Sequence, residues 1–412
     1  MRFLSTTLRL GSAALTIVLV VLNLRLYSPG SETYGPDQLG EDVLPQLRFL
    51  GAALRNGAGE RMQGLFPEGY FFTHALYGLA WVEAGLRLPP ESTVRQQAIQ
   101  EAGWALARLD SSAATTPFST ELDPPLGVFY GGWSNWLRGG LLMLQAEETR
   151  PSAQVERFQR ECQALADAFN RSPTPFLPAY HRMAWPVDSV VAMATLRLHD
   201  ALYAPRFGPT IDHWRTAAEA RLDPMTGLLA HRVDALSGEP LEGSRGSSQS
   251  LIARFLIEVD PVWGRSQYVL FRRQFVRSFL GLPGVREYPA GRAGGGDVDS
   301  GPLVAGFSAS ATVVTLAAAQ VHGDREVADV LIDVSEAAGL PIHWGGAKRY
   351  AFGLLPVGDA FLVWAKSSRP WVAAWSAASP PPIVASKWRL PLHAATLLIS
   401  IGAWQLTRRM RT

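Results

Sequence analysis

Two aspartates one residue apart, Asp297 and Asp299, lie in the stretch GGGDVDSGP from Gly294 to Pro302. The glycines let the backbone approach a ligand or take positive φ, and the alternation projects both carboxylates from one side of an extended segment. Buried together, such a pair shares a proton or separates in pKa, leaving one group as an acid and the other as a base. Two more carboxylates, Glu68 and Asp188, follow Phe66-Pro67 and Trp185-Pro186.

Side chains suited to a polyhydroxylated ligand surround these acids in the sequence. LFPEGYFFTH carries Tyr70 and His74, and DPPLGVFYGGWSNWLR carries Tyr130, Trp133, Asn135 and Trp136. PAYHRMAWPVDS adds Tyr180, His181, Arg182 and Trp185; LEGSRGSSQS adds Arg245 and Gln249; VREYPAGRAGGGDVDSGP adds Glu287, Tyr288 and Arg292. Cleaving a glycosidic bond takes one protonated carboxyl near the leaving oxygen and one ionised carboxylate that activates water or attacks the sugar, roughly 5 to 9.5 Å apart. Glu68 or Asp188 is the expected acid and Asp299 or Asp297 the expected base, with Trp185, Tyr130 and Tyr288 stacking on substrate.

Structural roles compete for the same residues. Glu68 and Asp188 fall in first helical turns, where a carboxylate gains roughly 0.3 to 1 kcal/mol from the helix dipole. Asp299 or Ser300 could form an Asx-turn or cap the following helix. His74 and the pair Trp133 and Trp136 have the spacing of core positions. No HExxH pattern and no calcium-loop spacing is present, so no metal and no cofactor is expected. GSRGSSQS lacks the lysine of a phosphate loop and reads as a serine-rich helix start.

A repeat of roughly 55 to 60 residues positions these loops. Apolar runs begin at Phe71, Asn135, Ser189, Ser248, Phe307 and Gly358, and amphipathic runs begin at Val94, Gln154, Thr210, Tyr268 and Glu326. The first set reads as helices enclosed on every side, the second as helices buried on one face. The run from Asp42 supplies a sixth outer helix that pairs with the last inner one. Pro67, Pro186 and Pro356 open inner helices where a missing N–H costs nothing, and Pro302 is expected to open the fifth. The predicted fold is all-α, an (α/α)6 toroid of helical hairpins with its inner-helix starts on one rim.

At this point the chain resembles the six-hairpin, (α/α)6-toroid glycosidases over roughly residues 40 to 368. The resemblance is architectural and implies an acid and a base drawn from loops and helix starts on one rim. The linalool dehydratase-isomerase group also looks like this toroid, but its cysteine-dependent pocket has little counterpart where the lone thiol, Cys162, falls on an outer helix. A non-catalytic envelope scaffold is the third reading.

Both chain ends are apolar. Leu10 to Leu24 follows Arg2 and Arg9, and Leu390 to Leu406 precedes Arg408, Arg409 and Arg411. Each is near the lower length limit for crossing a bilayer. The first is read as a retained anchor rather than a cleaved signal, because Arg25 follows it and no small-x-small site is evident. The predicted organisation is a cytoplasmic tip (1–9), an anchor (10–27), the toroid (36–368), a Pro-rich linker (369–388), a C-terminal membrane helix (389–407) and a basic tail (408–412). Positive-inside counting puts both basic tips in the cytoplasm and the toroid outside it. The expected partners are the lipid bilayer and a carbohydrate-like or other small ligand. With 18% charged residues and a net charge of +2, nucleic acid is not an expected partner.

Overall fold

A computed structural model describes residues 2–27, 37–375 and 380–409. Its helices are α1 (Arg2–Arg25), α2 (Val43–Arg55), α3 (Ala58–Gln63), α4 (Gly69–Gly85), α5 (Thr93–Leu109), α6 (Ser112–Thr115), α7 (Gly127–Met143) and α8 (Ser152–Arg171). They continue with α9 (Pro186–Leu202), α10 (Gly208–Glu219), α11 (Gly246–Val259), α12 (Pro261–Phe275), α13 (Ala309–Val321), α14 (Arg325–Ala338), α15 (Pro356–Ser367) and α16 (Leu390–Arg409). The expected spacer over 28–36, residues 376–379 of the Pro-rich linker and residues 410–412 of the basic tail lie outside the described residues.

Apolar residues on every side make a helix that must be covered on every side. In α4 every residue except Phe72 is buried, and α7, α9 and α11 are covered to a similar extent. By contrast α5 buries only Ala98, Ala102, Ala105, Leu106 and Leu109, a single stripe. The buried helices touch in sequence: α4 packs on α7, α7 on α9, α9 on α11, α11 on α13, α13 on α15, and α15 on α4. Each of α5, α8, α10, α12 and α14 packs back on the buried helix before it, and α2 lies against α15. Because a return helix stands between each buried helix and the next, the six run in one direction and their N-termini share one end.

At the opposite end the chain closes over the C-termini. Arg254 of α11, fully buried, lies 3.3 Å from Glu83 of α4 and 2.9 Å from Glu258. The Glu258 carboxylate accepts the backbone N–H groups of Trp371, Val372 and Ala373 at 3.0, 2.9 and 3.0 Å. This holds the segment after α15 as a strap, and the Trp371 ring stacks on Trp136 at 4.3 Å with an interplanar angle of 7°.

The loops at the N-terminal end are not the irregular connections that an all-α reading expects. They form short antiparallel sheets: β1 (Met183–Ala184), β2 (Arg232–Asp234) and β3 (Pro240–Glu242) make one, and β4 (Val276–Phe279), β5 (Leu282–Arg286), β6 (Leu303–Val304) and β7 (Phe307–Ser308) another. A hairpin of β8 (Ile342–Trp344) and β9 (Ala347–Arg349) precedes α15. Long loops must satisfy their backbone polar groups, and cross-loop ladders such as Met183 with Asp234 and Val285 with Ser308 do so. Pro302 sits in such a loop, seven residues before α13, and Ser308 caps that helix by accepting from the Ala311 N–H at 3.0 Å. Pro186 and Pro356 do open α9 and α15, whereas Pro67 precedes the N-cap residue Glu68 and lies outside α4.

Among the described residues, two helices are long and apolar enough to cross a membrane, over Thr6–Arg25 and Leu390–Arg408. They pack on each other antiparallel: Asn23 Nδ2 donates to Thr396 Oγ1 at 2.9 Å, and Ser12 Oγ donates to the Ala403 carbonyl at 3.2 Å. Leu10, Ile17, Val18 and Leu24 on α1, and Leu397, Leu398 and Leu406 on α16, are more than half exposed. An apolar band left bare over two paired helices matches a lipid-facing surface. The pair is rooted on α14, where Leu26, Trp388 and Leu392 pack against Val330 and Ala337 and Arg389 pairs with Asp333.

Candidate active site at the helix starts

Glu68 occupies the N-cap position of α4 without making a side-chain cap bond, which leaves its carboxylate free to accept from the Tyr180 hydroxyl. Tyr180 is held for this by Phe118, stacked at 5.8 Å, and by the edge of Trp185 at 5.9 Å. Asp188 lies in the first turn of α9 and is only 6% exposed. Asp299 belongs to the loop before α13, where its Oδ2 lies 3.6 Å from His231 Nε2. Thus a helix cap, a first-turn residue and a loop residue from three separate repeats bring their carboxylates to one place.

Their mutual influence shows in their acidities. Burial raises the Asp188 carboxyl well above the ordinary aspartate value, and the negative charges of Asp299 and Glu68 raise it further. Asp299 is pushed up to about 6, first by burial and then by Asp297, with Glu68 adding to the effect and Arg245 opposing it. Glu68 is raised by burial as well. The arrangement therefore sets Asp188, raised well above the ordinary aspartate value, beside Asp299, pushed up to about 6.

Asp297 has a different environment. Its two oxygens accept from Arg245 at 2.5 and 2.8 Å, and its Oδ1 accepts the backbone N–H groups of Asp299 and Ser300 at 3.1 Å each. Hydrogen bonds from Arg245 and the loop backbone hold it down at about 2, against the cost of burial. Asp297 thus forms the Asx-turn of the loop, and a carboxylate so weakly basic is a poor proton acceptor. Arg245 is itself fixed by Glu287, 2.6 Å from its Nε, and Glu287 also accepts from the Ser247 hydroxyl at 2.7 Å and the Ser247 N–H at 3.1 Å. Glu287 so ties the start of α11 to the loop after β5.

His231, just before β2, completes the cluster. Its Nδ1 is 2.5 Å from Ser248 Oγ and its Nε2 is 3.3 Å from Arg245 Nη1; burial and that guanidinium lower its pKa to about 3, so the ring is neutral. His231, Asp297 and Asp299 bring ligand atoms within 4.8 Å of one another, a spacing that suits a metal ion. The Arg245 guanidinium already supplies positive charge there, touching both Asp297 and His231. His231 lacks the proline, glycine and aromatic neighbours that mark the other loop candidates; the signal for it is the hairpin LLAHRVDALSGEPLE, which extends the loop before α11 upstream of LEGSRGSSQS.

Other candidates sit elsewhere. Tyr130 donates to the Leu109 carbonyl at 3.1 Å, and Asn135 donates to Phe158 O and Cys162 Sγ at 3.2 and 3.1 Å, so both link α7 to return helices. Tyr70 packs on His74 at 4.2 Å, and Gln249 donates to the Leu229 carbonyl at 2.6 Å. Arg292 lies beside Gly243 and Asp223. His181 and Arg182 are exposed on the turn before β1, with His181 Nε2 3.8 Å from Glu121. Tyr288 lies under Arg245, whose guanidinium is 5.4 Å from the ring centre, and its hydroxyl donates to the Gly295 carbonyl at 3.0 Å. No protein-family model matches the chain, and no curated protein matches it.

Proposed function

We propose that this chain is a membrane-anchored (α/α)6 toroid whose mouth acts by carboxylate acid–base chemistry on a carbohydrate or similar polyhydroxylated envelope molecule. The observation that carries the reading is the convergence of Glu68, Asp188 and Asp299, three buried carboxyls all raised above their ordinary acidities. In this reading Asp188, whose carboxyl burial raises well above the ordinary aspartate value, is the general acid, and Asp299 is the base that activates water. Glu68 orients Tyr180, whose ring stands with Trp185 as a stacking face for a sugar. Arg245 and Asp297 shape the loop that presents Asp299.

The closed sequence of contacts among α4, α7, α9, α11, α13 and α15 supports the toroid, and the strap at Trp371 gives it a single open end. Antiparallel pairing of α1 and α16 brings both basic chain tips to the same membrane face, in keeping with a domain on the extracytoplasmic side. The resemblance to six-hairpin glycosidases is favoured over the cysteine-dependent dehydratase reading by Cys162, which is fully buried between α7 and α8. The testing experiment is a thermal-shift screen of the full chain in detergent against envelope oligosaccharides and terpenoid alcohols, beside Asp299→Asn. An oligosaccharide that stabilises both proteins and is consumed by wild type alone is the expected result. Stabilisation by a terpenoid alcohol alone, or by nothing, would contradict the proposal.

A further inference from the structure

Five of the six loops that lead into the buried helices present a large apolar side chain to solvent. They are Leu65 before α4, Met183 before α9, Leu241 before α11, Val298 and Val304 before α13, and Leu354 before α15, all but Met183 more than half exposed. Val298 stands between Asp297 and Asp299 themselves. At the opposite end, among the described residues, the turns joining each buried helix to its return helix expose no side chain of this kind, and Val262 at the start of α12 is the nearest counterpart. An apolar crown confined to the carboxylate end marks a contact surface, since large exposed apolar patches on folded domains serve ligands, partners or membranes.

The anchors indicate which. Arg25, at the end of α1, donates to the carbonyl of Pro341 at 3.2 Å, just past the C-terminus of α14 and therefore at the same end as the mouth. The Trp388 carbonyl and Pro391 at the start of α16 abut Gly281, in the turn between β4 and β5. Bilayer lipid around α1 and α16 thus begins beside the mouth. Charge narrows the head group: Asp297, held ionised, and Asp299, with a pKa of about 6, repel an anionic one at neutral pH, and the nearby Arg245 is already paired with Glu287 and Asp297.

We infer that the substrate is a membrane lipid with an uncharged polyhydroxylated head group, the head entering among the carboxylates and the hydrocarbon lying on the crown. This rests on the function proposed above and adds the lipid portion to it. The test uses the full chain in phosphatidylcholine nanodiscs, titrated with methyl, hexyl and octyl glycosides of glucose, galactose and mannose while tryptophan fluorescence is followed. Each buried methylene strengthens binding by up to about fourfold, so partial cover of a hexyl chain should lower Kd at least roughly tenfold relative to methyl. Two variants on different loops, Val298→Ser/Val304→Ser and Leu65→Ser/Leu354→Ser, should shrink that ratio while leaving methyl-glycoside affinity unchanged. An identical ratio in wild type and both variants would assign the dependence to partition into the disc and overturn the inference. Methyl-glycoside binding with no gain from chain length would overturn the lipid portion alone and leave the head-group site standing. No binding of any glycoside would overturn both.

Discussion

Replacing Arg245 with methionine keeps much of the side-chain volume and removes the charge that Glu287 and Asp297 share. Glu287 is fully buried, with Arg245 Nε at 2.6 Å, so the variant strands a carboxylate that retains only its bonds from Ser247. Breaking a buried pair from one side costs about 3 to 5 kcal/mol. The Asp297 contact adds little, because that side chain is 44% exposed and screened pairs contribute about 1 kcal/mol or less. At an unfolding entropy of about 2 cal/mol/K per residue, a domain of this length should lose about 4 to 7 °C in Tm. The assay is thermal unfolding by circular dichroism in detergent for Arg245→Met, Asp297→Asn and the double variant Arg245→Met/Glu287→Gln. Removing the pair as a unit should recover most of the loss, and Asp297→Asn should shift Tm by no more than about 2 °C. An unchanged Tm in Arg245→Met, or a double variant no better than the single one, would show that the stranded Glu287 carboxylate is not what destabilises the fold.

The remaining expectations follow from the same geometry. Asp299 binds its proton more tightly folded than unfolded, at about 6 against the ordinary 3.8, so its contribution to stability is full below about pH 4 and is lost as pH rises through about 6. The Tm of Asp299→Asn relative to wild type should therefore rise between pH 4 and 7; a flat difference contradicts the shift. Trp371→Ala removes the stacked partner of Trp136 at the strap and should cost about 3 kcal/mol in urea unfolding, whereas a cost under about 1 kcal/mol would show that the strap does not close that end. Cysteines introduced at Thr7 and Arg408 should both react with an impermeant thiol reagent from the cytoplasmic face only, Cys162 being buried; labelling from opposite faces would break the antiparallel pairing of α1 and α16.

Helix existence was legible in the sequence because apolar residues on all sides and on one side alternate through the chain, and these burial demands are local and periodic. Asp188, Glu68 and Asp299 were legible for a similar reason: each sits beside a proline or glycine that fixes a helix start or a loop. What could not be read was which way a side chain turns. Tyr130 and Asn135 lie in α7 among apolar neighbours, and their polar atoms face return helices that only the assembled layers bring near. Asp297 and Asp299 looked equivalent, and Arg245, distant in sequence, separates them. The hairpins before α9, α11 and α13 escaped because two- and three-residue strands carry too little alternation to register, and His231 went with them.

The proposed function makes Asp188 and Asp299 the acid and the base at the mouth. Its most direct test is turnover of the stabilising saccharide by full-chain wild type, Asp188→Asn, Asp299→Asn and Asp297→Asn, each first shown to be folded by its unfolding transition. General acid–base groups contribute about 10² to 10⁴ in rate, so Asp188→Asn and Asp299→Asn should each lose at least about 100-fold in kcat, and Asp297→Asn should lose far less. Wild-type turnover retained in either of the first two variants would contradict the claim.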